Sequence, residues 1–384
     1  MIGRAGFLGG IGSIGVGVAA PIALPNYAAQ VAIGVVCPLS GPLRATGESF
    51  ANGVRAAIDD YNSHRTSFDK VFTLRTFDDR NVVANALVNA QFAIADPTIV
   101  AVIGHLGANG TIAAARTYAE AQMPLLAPTV TADGLTALGY RTVFRLPTRD
   151  FDEGSLLATF VLQNNAPKKP HVLVQDGDYG ADVARGLAQS FNARKVAAKV
   201  TVFSYDRPDY AGAADAVIAN GSDHVCLAGN ATDMAPVVAV LRSKGYTGPF
   251  AASQGFFDTI VVTKFAKEAD GMIVSTSMPY LPIAPAALRI RADFEGRYGP
   301  LAPVPAFTYA AAQIVIAAVR ATGAIQRATL ARAMSLQSSF STLVGNFQFG
   351  PTGDTIDPEL YFYTVRSGAF GYVRQAHPSS FLSR

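Results

Sequence analysis

Two cysteines in 384 residues leave no room for a disulfide framework. Cys37 closes one apolar run and Cys226 sits inside another, so both read as small buried hydrophobes. Histidine is also scarce. His64, His105, His171, His224 and His377 are scattered, and none has metal-ligand spacing such as H-E-x-x-H. No metal and no cofactor are expected. There is no G-x-S-x-G elbow and no P-loop, which removes the commonest hydrolase and nucleotide motifs. Charge is sparse too. Asp, Glu, Lys and Arg make up 15% of the chain, the formal net charge is +3, and no basic stripe carries interleaved aromatics. A nucleic-acid partner is therefore excluded from the expectations. What is abundant is apolar: half of the residues are hydrophobic, and the length suits two lobes rather than one.

The N-terminus has one early cation, Arg4, and then no charge until after residue 30. A basic start, an apolar core and small residues near Ala28 and Ala29 read as a secretory signal peptide over residues 1–29. A retained anchor is the alternative, because the uncharged run could span a bilayer. Either way the rest of the chain lies outside the cytoplasm. No second long apolar run is read in it. Within the leader, "GGIGSIG" puts Gly10, Gly12 and Gly15 in G-x-G-x-x-G spacing. A dinucleotide fingerprint needs a preceding strand and an acid about 20 residues on, and the first acid is Glu48. The glycines belong to the signal core.

From Val31 onward apolar strands alternate with helical patterns. Strands are expected at 31–37, 71–77, 98–104 and 123–128. Helices are expected at Glu48 to Asn62, Val82 to Ala95, and from Thr111. A second run has strands at 171–176, 199–205, 223–229, 249–253 and 271–276. Such alternation implies parallel βαβ units with right-handed crossovers. Segments 143–154 and 275–285 read as linkers between lobes, and 286–336 as helix-rich. The strand-like tail 359–373 is too short for a domain, so it must add to a sheet already built. The expected division is 30–148 and 276–355 for the first lobe, and 149–275 and 356–384 for the second.

In an open parallel sheet of order 2-1-3-4-5, ligands bind beyond the strand carboxyl ends, between the first and third strands. The loops there are "PLSGPLRATG" and "GHLGANGT", and both run into helix N-termini. Free N–H groups and the helix dipole favour an anion there, by about 0.3–1 kcal/mol per helix end. Thr129 and Thr131 follow the fourth strand and could add hydroxyl donors. His105, inside the turn, reads as a hydrogen-bonded structural residue. The paired acids of "FDDR" (77–80) read as a solvated loop or a helix N-cap.

The stretches "GVVCPLSGPLRATGESFANGVRAAIDDYN", "VIGHLGANGT", "MPLLAPTVTADGLT", "YGADVARGL" and "FTYAAAQIVIAAV" together resemble the leucine/isoleucine/valine-binding family. These are type I periplasmic solute-binding proteins of ABC importers. The resemblance implies an α/β fold of two doubly wound parallel-sheet lobes joined by three crossover segments, closing on a small ligand. It further implies a monomer that delivers its ligand to a membrane permease. On the family pattern the ligand carboxylate would be held at Ala108, its neighbour Asn109, Thr129 and Thr131. Relatives commonly carry Ser at the place of Ala108. The acid that usually meets the ligand ammonium falls on Gln254. Tyr179 matches an aromatic of the second-lobe wall, while Asn230 and Thr46 stand where relatives place tyrosines. With Gln254 neutral, either another acid substitutes, Asp258 or Asp233 by sequence, or the ligand lacks an amine. The resemblance implies a branched-chain amino acid, a similar small amino acid, or a small carboxylate. The alternative is a non-amino ligand: an aromatic or aliphatic carboxylate, an amide or urea. An enzyme is the rival class, and turnover of a candidate substrate would mark it. A sensing receptor would be expected to continue into a further module after "HPSSFLSR".

Overall fold

The computed structural model describes residues 30–67, 69–204, 206–278 and 285–377. The expected leader, with its glycine spacing, and most of the proline-rich segment 275–285 lie outside these residues.

The first sheet is wholly parallel. It contains β1 (Gln30–Cys37), β2 (Val71–Asp78), β3 (Ile99–Gly104), β4 (Leu125–Ala127) and β5 (Val143–Arg145), in the order β2-β1-β3-β4-β5. Its helices are α1 (Arg44–His64), α2 (Val83–Ala95), α3 (Ala108–Glu120) and the short α4 (Gly134–Ala137). β1 and β3 are continuous apolar runs because both of their faces are covered. Val31, Ile33, Val35 and Cys37 enter one core, while Ala32 and Val36 enter another that α3 covers through Ala114, Ala115 and Tyr118.

β5 lies inside the stretch read from sequence as a linker. Three residues are too few to show a period, yet they pair with β4 from Leu125↔Val143 to Ala127↔Arg145. α5 (Asp150–Asn165) also begins there. α1 starts four residues before its expected start and α3 three residues before. Neither has a capping side chain, so the sequence carries no start signal.

The second sheet is built first from β6 (Pro170–Gln175), β7 (Lys199–Phe203), β8 (His224–Ala228), β9 (Phe250–Ala252) and β10 (Ile273–Thr276). α6 (Asp178–Ala193), α7 (Tyr210–Ala219), α8 (Ala231–Ser243) and α9 (Thr259–Thr263) alternate with these strands. The chain then returns to the first lobe with α10 (Pro285–Tyr298), α11 (Pro303–Thr322), α12 (Arg327–Leu336) and the hairpin β11 (Phe340–Thr342)–β12 (Gly345–Phe347). It ends in the second sheet as β13 (Leu360–Arg366) and β14 (Ala369–Ala376). The order there is β14-β13-β10-β9-β8-β6-β7, with β13 and β14 antiparallel to their neighbours. The chain thus passes between the sheets three times: after β5, after β10 and before β13.

α11 corrects the expectation of no second long apolar run. It is long and apolar enough to cross a membrane, yet most of its residues are buried in the first-lobe core. Thr308, Tyr309 and Gln313 interrupt the run and hide it from a reading by eye. Its contact with α1 is close at Gly53, where an added Cβ would stand 2.3 Å from the Pro305 carbonyl oxygen. α5 and α6 meet in the same manner. A Cβ on Gly154 would lie 2.0 Å from the Val183 carbonyl oxygen, and one on Gly186 would lie 2.1 Å from that of Phe151. Both cysteines are buried and unpaired, as expected; the Cys37 thiol donates to the Gly47 carbonyl at 3.3 Å.

Candidate functional site

The carboxyl ends of β3, β4 and β5 define one wall. Gly107 is the extended N-cap of α3 and offers no side-chain cap, so the N–H groups of Ala108, Asn109 and Gly110 have no acceptor within the helix. His105 is buried behind this turn, with Nδ1 2.8 Å from Asp79 Oδ2 and Nε2 3.3 Å from the Tyr118 hydroxyl. It is structural, as the sequence suggested. Asp79 is not the solvated acid or helix cap expected of "FDDR". It is buried against His105 and accepts from the Asn81 N–H, while Asp78 accepts from the Leu39 N–H and the Ser40 hydroxyl. These two acids brace the turns after β1 and β3.

The Thr129 hydroxyl donates to the Leu106 carbonyl at 3.0 Å, tying the turn after β4 to the turn after β3. Thr131 is held through its backbone. Its carbonyl accepts from Arg145 Nη1 at 2.6 Å, and the same nitrogen reaches the Ala132 carbonyl at 2.7 Å. Arg145 is fully buried, with Nη2 on the Thr136 hydroxyl and Nε on Asp354. One guanidinium therefore fixes the loop that carries both threonines.

The opposite wall comes from β9 and β10. Gln254 opens a single 3-10 turn, Gln254–Phe256, directly after β9. Its N–H donates to Glu153 Oε1 at 2.6 Å, and the Ser275 hydroxyl donates to the same oxygen at 2.7 Å. The next N–H, of Gly255, donates to the Tyr179 hydroxyl at 3.0 Å. Glu153 and Asp150 share the first turn of α5, and each is 1% exposed. Glu153 Oε2 and Asp150 Oδ1 have no hydrogen-bond partner. Burial pushes the Glu153 carboxyl up to about 8, with Asp150 adding to the rise; Ser275, the Gln254 N–H and Tyr179 partly offset it. Burial likewise raises Asp150 to about 7, against the opposing hydroxyl of Thr131. Burial also lifts the Tyr179 phenol well above its ordinary range.

A recess of about 160 Å³ lies between the walls. Thr129, Thr131, Gln254, Thr276 and Ser277 supply its polar lining. Met278, Val304 and Phe307 supply the apolar lining, with Pro128, Pro147 and Pro303 at its edges. Among the described residues no charged side chain lines it. Three of the residues expected from sequence, Thr129, Thr131 and Gln254, are thus brought together. Ala108 and Asn109 stand at the adjoining helix start, and Tyr179 lies beneath the Gln254 turn. Asn230 is the exposed N-cap of α8, its N–H bonded to Gln175 Oε1 at 2.8 Å, and Thr46 sits in the first turn of α1. None of these five lines the recess.

Neither acid nominated by sequence as a substitute reaches it. Asp258 caps α9 by accepting from the Ile260 N–H, and Asp233 accepts from Gln175. The acid that does meet Gln254 is Glu153, 101 positions away. Sequence reasoning missed it, together with Asp150, Arg145 and Ser275. Two acids at the start of a helix read as ordinary complements to its dipole. The available signal was their i, i+3 spacing, which puts both on one helix face. Among the described residues no group of His, Cys, Asp and Glu could hold a metal. A wider hollow of about 360 Å³ on the first lobe, lined by Asp60, His64, Arg289 and Arg320 among others, lies at the far end of α1 from the strand carboxyl ends.

A family model described as periplasmic binding protein matches residues 30–369. The Leu/Ile/Val-binding protein homolog 3 of Brucella melitensis biotype 1 is 25% identical over 354 residues, covering 88% of this chain and 92% of its own length. A leucine binding protein structure from Thermotoga maritima superposes with a TM-score of 0.79 at 21% identity, covering 91% of this chain and 99% of that one. A solute binding protein of an ABC transporter from R. palustris, solved with benzoate, gives 0.74 at 18% identity, covering 91% and 97%. Structures this distant in sequence speak for the fold alone.

Proposed function

This chain belongs to the periplasmic binding protein family, and we propose that it captures a small carboxylate, an amino acid or a close analogue, between its lobes and delivers it to the membrane permease of an ABC importer. The observation that carries this reading is the recess where Thr129, Thr131 and the Gln254 turn converge from two different sheets. A ligand carboxylate fits the first-lobe side. The free N–H groups at Ala108 and Asn109 and the Thr131 hydroxyl are donors, the Thr129 hydroxyl holds the turn through the Leu106 carbonyl, and the α3 dipole favours negative charge. Met278, Val304 and Phe307 would receive an apolar body. The relatives support this class, one being named a Leu/Ile/Val-binding protein and another having been solved with benzoate.

The same reading places the protein outside the cytoplasm, with residues 1–29 as its export signal, and makes it a monomeric carrier rather than an enzyme. Native mass spectrometry of the purified protein, followed by calorimetry with leucine, isoleucine, benzoate and isocaproate, tests it. One-to-one binding of at least one of these carboxylates, with no product formed, is expected. Failure to bind any of them, or turnover of one, would overturn it.

A further inference from the structure

We propose that Glu153 is the positioning residue that sets the ligand class of the cleft: it supports the Gln254 turn as a neutral acid, so the second-lobe wall offers hydrogen bonds but no charge, and the ligand is a carboxylate without an amine. This rests on the reading of the cleft as a carboxylate site.

The geometry of the carboxyl is the first ground. Oε1 is taken by two donors, the Gln254 N–H at 2.6 Å and the Ser275 hydroxyl at 2.7 Å. Oε2 has no partner and is the oxygen left to carry a proton. Through these bonds one side chain joins α5 to the turn after β9 and to β10, the segments that form the second-lobe side of the recess.

The charges around it are the second ground. Facing Glu153 are Asp150 on its own helix, Tyr179 from α6, Ser275 from β10 and the Gln254 backbone. Asp150 in turn faces Asp133, Asp182 and Arg145. Arg145 is already engaged by two carbonyls, Thr136 and Asp354, and among the described residues no cation is a hydrogen-bond partner of Glu153 or one of the chief causes of its shift. A helix N-terminus favours an anion by about 0.3–1 kcal/mol, or about 2 when partly buried. Removing a carboxylate from water without a counter-ion costs several times that. Burial therefore wins, and the acid keeps its proton at neutral pH.

The recess is the third ground. Its polar lining consists of hydroxyls and the Gln254 amide, and among the described residues no carboxylate lines it. An ammonium closed into this space would be a buried cation without a partner. A carboxylate with an apolar body would instead meet the uncapped N–H groups and the positive end of α3 on the first-lobe side.

The test is calorimetry with leucine, isocaproate (leucine without its amine) and benzoate on the wild type, Glu153→Gln and Glu153→Ala, at about pH 6 and about pH 9, either side of the carboxyl's midpoint. Wild type is expected to bind isocaproate or benzoate at least about tenfold tighter than leucine at the lower pH, and to lose about tenfold at the higher pH. Glu153→Gln should keep the low-pH affinity within about threefold and show a clearly smaller loss at the higher pH, where Asp150 alone still titrates, a change in the pH profile that a merely structural glutamate would not give. Glu153→Ala should bind about tenfold more weakly, with folding checked by circular dichroism. Leucine binding as tightly as the amine-free acids, or Glu153→Gln losing leucine alone, would make Glu153 the counter-charge of an ammonium. Either result overturns the proposal while leaving carboxylate capture intact. A wild type that binds none of the three fails at the earlier step, and the carboxylate reading falls with it.

Discussion

Glu153 holds a proton in the folded protein that the unfolded chain has already released. Its carboxyl rises from 4.5 to about 8 on folding, and Asp150 rises from 3.8 to about 7, both chiefly by burial. Between those limits the native state binds more protons than the unfolded state, so stability falls as pH rises and levels off above about 8. The slope is at most about 1.4 kcal/mol per pH unit for each proton. Urea titrations should show Glu153→Gln matching the wild type near pH 5 and exceeding it near pH 9; parallel curves would remove Glu153 as their cause. Thr131 makes a second case at this scale. Losing its hydroxyl should weaken carboxylate binding by about 1.5–3 kcal/mol in calorimetry, with the fold kept, because the loop is held by Arg145 through backbone carbonyls. Equal affinity in Thr131→Ala would take the hydroxyl out of the site. Thr129 and Thr131 could be singled out because they follow a visible strand, and Gln254 only through the family resemblance; the fold brings the three to one recess. Glu153 was not legible in the sequence, because its partner Gln254 is brought to it only by the packing of α5 against β9 and β10.

Helix packing in the second lobe depends on two glycines. Gly154 of α5 and Gly186 of α6 each leave space that a neighbouring backbone carbonyl fills, so the two helices lie against one another without intervening side chains. The first turn of α5 is thereby fixed, and Glu153 with it. Gly186→Ala should destabilise the protein by about 1–3 kcal/mol through overpacking, and an unchanged urea midpoint would contradict the contact. Most elements could be read in advance from apolar runs and turn residues, including β1, β3, β6 and β8, whose runs are long. β5 could not, since it has three residues and ends in an arginine. Arg145 is nonetheless the side chain that fastens the threonine loop. Isolated charge at the end of a short strand reads as solvent-facing, and only the fold reveals the carbonyls around it.

At the scale of the molecule, ligand capture requires the lobes to move about the three passages between the sheets. Small-angle scattering should show a smaller radius of gyration at ligand saturation, and the melting temperature should rise with ligand concentration, reaching about 2.7 kcal/mol of added stability at a hundredfold excess over Kd. A bound form with an unchanged envelope would rule out closure. The interleaved path of the chain also bears on how the protein is made. The first lobe takes α11 and α12 into its core from beyond residue 303, and the second sheet lacks the neighbour of β10 until β13 is added at 360–366. Neither half can complete its core while the ribosome is still working on the middle of the chain. At about 5–20 residues per second, the early strands must wait many seconds for partners that arrive last. Under the export proposed above, a chain that cannot finish either lobe before its end is synthesised would reach a translocation channel still unfolded and complete both cores on the far side of the membrane.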